Sequence, residues 1–229
     1  MKVRRAPHRW AVSATQAIAL QNRLAADVII EPYGGSPRFI AGVDAALTAD
    51  GSACVAVAAV WDTTDGRLVE AHTARRPLTF PYVPGLLSFR EAPAALAALR
   101  RVRAPVQVLV CDGQGRAHPR RFGLACHLGL IVDVPTIGCA KRHLIGVFGD
   151  LGAKRGSSAP LLDCDEEIGR VLRTQDGADP VYVSVGHRVD LASAERIVLA
   201  CAMQHRLPEP THQADRLVAL ATERGRGRS

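Results

Sequence analysis

VQVLVCDGQGRAHPRR, Val106 to Arg121, is the stretch on which the reading of the fold turns. Val106, Val108, Leu109, Val110 and Cys111 form a short apolar, β-branched run of the kind buried on both faces of a sheet, so it reads as a central strand. The run ends on Asp112, Gly113 and Gly115 open a tight loop, and a polar segment with His118, Arg120 and Arg121 follows. A carboxylate is therefore held at the carboxyl end of a strand, the side of an open α/β sheet on which ligands collect. Asp-Gly by itself equally makes a hairpin turn. Gly115 to Arg121 lacks the apolar alternation of a returning strand, which favours the loop reading.

Working outward, 229 residues that are 48% hydrophobic and only 4% aromatic suit one domain with an aliphatic core, expected over residues 1–223. Residues 224–229, an Arg/Gly tail, are expected to be disordered and to add loose phosphate contacts. The balance of 29 basic against 22 acidic residues, net +7, points to a polyanionic partner. Six cysteines lie mostly inside apolar runs and never as a CxxC pair, so zinc fingers are not indicated and a reducing compartment, the cytoplasm, is expected. No apolar run reaches membrane-spanning length. The basic start MKVRRAPHRW leads into a segment too polar for a secretory signal. The first 26 residues lack Asp and Glu, as transit peptides do, while Trp10 to Leu24 also works as an amphipathic first helix.

Phe39 to Ala46, Ala53 to Trp61 and Leu68 to Thr73 read as three strands joined at Asp50-Gly51 and Asp65-Gly66, an antiparallel meander. Asp44, in the first of them, either faces solvent or is held for chemistry. Pro81 to Pro84 is a stiff loop whose aromatic tip, Tyr82, either covers a core edge or wedges between bases. Ala94 to Arg103 is a helix. Ser88 and Glu91 have capping-box spacing, but Pro93 favours a helix that begins near itself, leaving Glu91 just before it. Beyond the central strand, Phe122 to Leu130 is a helix and Val134 to Ala140 a short strand ending at Lys141. Gly149 to Ala159 reads as an exposed loop, and Ile168 to Thr174 and Pro180 to Ser184 as two further strands. Asp190 caps a helix over Leu191 to His205, and Thr211 a last helix on which Asp215 by default faces water.

This order, three antiparallel strands followed by parallel strands and flanked by helices, matches a ribonuclease H-like mixed α/β sheet. Six motifs then carry a specific resemblance: GVD at Gly42 to Asp44, PYVPGLLSFRE at Pro81 to Glu91, DGQGRAHPRRFGLACHLG at Asp112 to Gly129, PTIGCAKRHLIG at Pro135 to Gly146, SVGHR at Ser184 to Arg188 and LPEPTHQADRL at Leu207 to Leu217. Together, from about Trp10 to Leu217, they resemble the endonuclease V family of deoxyinosine-directed repair nucleases.

The resemblance implies roles that the residues alone left open. Asp44, Glu91 and Asp112 match an acidic triad, and Asp215 an acidic or histidine position that completes a metal site. Hard carboxylate oxygens suit Mg²⁺, with Mn²⁺ able to substitute. Lys141 matches a lysine near the reacting phosphate, and His118 a histidine beside the active centre. Pro81, Tyr82, Val83 and Pro84 match a wedge that fills the gap left by a flipped nucleotide. Gly85, Leu87, Gly113, Gly115, Leu144 and Ser184 match the pocket that takes the base, where glycines let backbone approach it closely. The implied reaction is hydrolysis of the second phosphodiester 3′ to deoxyinosine, leaving a 3′-hydroxyl and a 5′-phosphate, by a protein that acts as a monomer away from membranes. Its implied partners are DNA with deoxyinosine or other deaminated bases, and inosine-containing RNA as an alternative. Two departures bear on pocket detail: Gln114 stands where many relatives have His or Asn, and Val185 where proline is usual. A non-cleaving inosine binder and a nuclease for mismatched or branched DNA are the competing readings.

Overall fold

The computed structural model describes residues 1–223; the expected tail, 224–229, lies outside them. Its elements are α1 (Ala14–Leu24), β1 (Phe39–Leu47), β2 (Ala53–Asp62), β3 (Arg67–Pro77), α2 (Leu87–Leu99), β4 (Val108–Cys111), α3 (Leu124–Gly129), β5 (Thr136–Ala140), β6 (Ser158–Asp163), β7 (Glu166–Leu172), β8 (Val181–His187), α4 (Leu191–Cys201) and α5 (Glu209–Glu223). The strands form one mixed sheet in the order β3-β2-β1-β4-β5-β8-β7-β6. β1, β2 and β3 are the antiparallel meander, and β4 and β5 continue parallel to β1. β8, β7 and β6 return antiparallel.

Alternation along the strands sorts the core into two layers. Ala56, Ala58 and Val60 of β2, with Leu109 and Cys111 of β4, pack under α2 and α3. Val55, Val57 and Ala59 face Ala214 and Val218 of α5, and Val108 and Val110 face α4. β4 is buried along its whole length, as its apolar run requires. β3 closes one edge with exposed Arg67, Arg75 and Arg76, charges that discourage another strand from pairing there.

Four expectations are corrected. α1 starts at Ala14 rather than Trp10, because Ser13 and Gln16 form a reciprocal capping box. α2 starts at Leu87, with Pro93 inside it and no capping box at Ser88. An interior proline costs about 3 kcal/mol. Full burial of Phe89, Leu96 and Leu99, at about 1.5–3 kcal/mol each, outweighs that. Glu91 therefore rides on the helix instead of preceding it. The supposed loop ends in β6, whose Pro160 disguises it; the strand lies at the sheet edge, where a missing N–H is tolerated. Thr211 is not a cap, since α5 already begins at Glu209 and the Thr211 hydroxyl donates back to the Pro208 carbonyl at 2.9 Å.

Candidate active site

Two parallel strands set the site. β1 and β4 run side by side from Ile40 beside Val108 to Val43 beside Cys111. The Asp112 N–H donates to the Val43 carbonyl at 2.9 Å, which carries the pairing one residue further and sets Asp112 beside Asp44. The third acid arrives from α5. Gly42 has no side chain, and the backbone of Pro210 and Thr211 occupies the space where one would stand. That close approach delivers Asp215, and carboxylate oxygens of Asp44, Asp112 and Asp215 lie within 4.8 Å of one another. Among the described residues this is the cluster able to hold a metal ion, and its donors are all hard oxygens.

Lys141, one residue beyond β5, places its ammonium among these acids, 2.5 Å from Asp112 and 3.5 Å from Asp44, and also pairs with Asp215. Its backbone is anchored by Arg206, which donates to the Lys141 carbonyl at 2.7 Å and to that of Pro180 at 2.8 Å. Burial and the neighbouring Asp112 push the Asp44 carboxyl up to about 8 even though Lys141 opposes the shift. Glu91 lies outside the 4.8 Å cluster, yet burial and the charges of Asp44 and Asp112 push it up to about 8 as well. Partial burial works against the Asp215 carboxylate, but its bond to Lys141 prevails and holds it below the usual range. A site that raises its own carboxyls in this way favours the arrival of positive charge.

A pocket of about 610 Å³ opens beside the acids. Asp44, Glu91, Asp112 and Lys141 line one part of it, and Tyr82, Val83, Pro84, Gly85 and Leu87 another. Gly113, His118 and Leu144 complete the expected set on its wall. Tyr82 is 71% exposed, and Arg90 sits over its ring at 5.5 Å. Pro81, Asp215, Gly115 and Ser184 do not line the pocket. Gly115 lies behind it, pressed against the Val185 carbonyl, and its N–H donates to the fully buried Ser184 hydroxyl at 2.8 Å. Those two residues brace the loop from behind. Gln114 is buried in the pocket wall, donating to the Arg142 carbonyl at 3.1 Å while its Oε1 has no partner.

His118 is turned toward the wedge. Burial pushes its imidazole down to about 4, and the neutral ring donates from Nε2 to the Gly85 carbonyl at 2.9 Å. Three contributors were not foreseen from the chain: Gln21, Arg206, and the Ser88–His127 pair, whose side chains meet at 2.9 Å under α2. Gln21 alone left a trace, since it falls on the same helical stripe as Ala17 and Leu24.

A ribonuclease H-like sheet that gathers carboxylates where β1 and β4 run together, in the wall of a cavity of about 610 Å³ with ample room for a nucleobase, defines a phosphodiester-cleaving nuclease. Residues 22–216 match the family model described as Endonuclease V, and the chain belongs to that family. The Nostoc punctiforme endonuclease V is 46% identical over 213 residues, covering 93% of this chain and 96% of that protein. The crystal structure of the Streptomyces avermitilis endonuclease V is 46% identical, with a TM-score of 0.90 over 98% of this chain and 99% of that one. The Ciona intestinalis endonuclease V, crystallised with a 24mer DNA containing an inosine followed by a ribo-adenosine, shares the fold at 24% identity, with a TM-score of 0.80 over 92% and 98% of the two chains. No helix among the described residues is long and apolar enough to cross a membrane.

Proposed function

We propose that this protein is a Mg²⁺-dependent DNA repair endonuclease that rotates deoxyinosine out of the duplex and hydrolyses the second phosphodiester 3′ to it. The observation that carries the reading is the convergence of Asp44, Asp112 and Asp215 within 4.8 Å, with Asp44 and Asp112 lining the same pocket of about 610 Å³ as Tyr82, Val83, Pro84 and Gly85. Family membership supports the substrate, as does a relative of the same fold crystallised on inosine-containing DNA.

Asp44, Asp112 and Asp215, with Glu91 behind them, would hold the cation. Once bound, Mg²⁺ supplies an activated water and charge stabilisation at the scissile phosphate. Lys141, already on the same acids, is placed to balance charge on the phosphate oxygens. Tyr82, flanked by Pro81, Val83 and Pro84, fills the space left in the base stack. Gly85, Leu87, Gly113 and Leu144 enclose the base, and hypoxanthine, lacking the exocyclic amine of guanine, is the better fit. Hydrolysis in line leaves a 3′-hydroxyl and a 5′-phosphate. A monomer working in the cytoplasm goes with this reading; five of the six free cysteines are buried, and Cys164 is exposed.

The test is a nicking assay on matched duplexes with and without one deoxyinosine, run with Mg²⁺ and with EDTA, the cut mapped to the nucleotide. The expected product is a Mg²⁺-dependent nick one nucleotide beyond the inosine's own 3′ bond. An equal nick in the undamaged duplex, or an undiminished one in EDTA, overturns the proposal.

A further inference from the structure

We propose that Gln21, acting with Arg120 and His118, is a clamp on the carbonyl oxygen of Gly85 that sets the wedge. The inference rests on the flipping reading above and concerns a residue of α1, remote in sequence from every motif of the site. Gln21 is 1% exposed. Its Nε2 donates to the Gly85 carbonyl at 3.0 Å and to the Phe122 carbonyl at 3.0 Å, while its Oε1 accepts from Arg120 Nε at 2.5 Å. Arg120 Nη2 donates to the same Gly85 oxygen at 2.7 Å, and His118 Nε2 does so at 2.9 Å. The Arg120 N–H in turn donates to His118 Nδ1 at 3.2 Å, which settles the tautomer of that ring.

Three donors converge on one oxygen that has two lone pairs. The peptide from Gly85 to Leu86 is planar, so holding its oxygen also holds the Leu86 N–H, which donates to Val83 at 3.0 Å and closes the turn behind Tyr82. Gly85 sits at φ +75°, which glycine adopts without strain, and a Cβ at that position would stand 2.7 Å from Arg120 Nη2. A turn pinned at both ends of one peptide plane is preorganised and does not have to be ordered by the DNA.

Gln21 and Arg120 are positioning residues, since they act through Gly85.

The experiment compares wild type with Gln21→Met, which keeps the side chain's bulk and removes its hydrogen bonds, and with Arg120→Met and the double variant. Steady-state nicking is measured on a duplex carrying deoxyinosine at one position. Loss of a charge-assisted hydrogen bond to the clamp is expected to raise KM for the inosine duplex about tenfold with kcat nearly unchanged. The double variant is no worse than either single one. A role in stability alone would lower the active fraction and leave KM where it was, and that result overturns the clamp. Amide hydrogen exchange gives a readout free of activity: Leu86 should exchange about tenfold faster in Gln21→Met. Unchanged exchange at Leu86 sinks the clamp even if wild type proves inactive on inosine, whereas wild-type inactivity with faster exchange at Leu86 indicts the substrate reading alone.

Discussion

Gly42 of β1 and Pro210 of α5 are in contact through backbone, with no room between them for a single carbon. The contact lets Asp215 join Asp44 and Asp112. Gly42→Ala should push α5 outward and separate the acids. Overpacking typically costs about 1–3 kcal/mol. Urea unfolding should show a loss at the upper end of that range, and titration with Mn²⁺ should show weaker binding. Wild-type values for both would mean that α5 approaches less closely than described.

Asp112 is the acid that both β4 and the Val43 carbonyl hold in place. Asp112→Ala should lower nicking by about a thousandfold or more, the scale of losing charge stabilisation at the reacting phosphate. Binding to inosine-containing duplex, followed by gel shift, should persist, because Tyr82, Gly85, Leu87 and Leu144, assigned to the wedge and the base, are untouched. Full nicking by this variant would remove Asp112 from the metal set.

Tyr82 projects from its loop and carries little of the core. Tyr82→Ala should leave the melting temperature within about a degree or two, as exposed substitutions do. Base stacking on an aromatic ring is worth about 1–3 kcal/mol, so the preference for inosine-containing over undamaged duplex should fall roughly five- to 150-fold. A preference left intact would dismiss the wedge.

His127 offers a pH signature away from the acids. Burial pushes its imidazole down to about 3, and the neighbouring His8 adds to the shift. His8 Nδ1 donates to the Arg9 carbonyl at 2.8 Å, so its Nε2 accepts from His127 Nε2 at 2.6 Å, and Ser88 donates to His127 Nδ1. Both rings are neutral in this chain of bonds. The unfolded histidine takes a proton near pH 6.5 and the folded one does not, so this stabilisation is complete above 6.5 and is lost as pH falls toward 3. Asp44 and Glu91 act with the opposite sign. Their folded values near 8 give stability that is complete below the ordinary carboxylate range and lost as pH rises through 8. Both acids remain in His127→Asn, so their terms cancel in the difference. The stability gap between wild type and this variant should shrink below pH 6.5 by up to about 1.4 kcal/mol per unit. A gap independent of pH would show that His127 titrates normally.

Much of the architecture is local, and local features were legible. β2 is buried on both faces, and its unbroken run of Ala53 to Trp61 announces that. Gly51 and Gly66 adopt the positive φ that their hairpin turns require, and Asp190 caps α4 by accepting from the Ser193 N–H. Two of the corrections share a cause: Pro93, read by local propensity as a helix start, lies inside buried α2, and Pro160 lies within the edge strand β6, so tertiary position overrides proline's local preference.

The sequence by itself determined the alternating strands, the turns between them, the basic surface and the family, because each is written in neighbouring residues or in short motifs. Tertiary structure decided which side chains meet. Asp215, a helical residue with no local reason to leave solvent, reaches Asp44 because a missing side chain at Gly42 lets α5 approach. Gln21, an ordinary polar residue of an amphipathic helix, reaches Gly85 because α1 packs behind the wedge loop. Such contacts depend on the distance between elements in space, and residue spacing along the chain does not encode that distance.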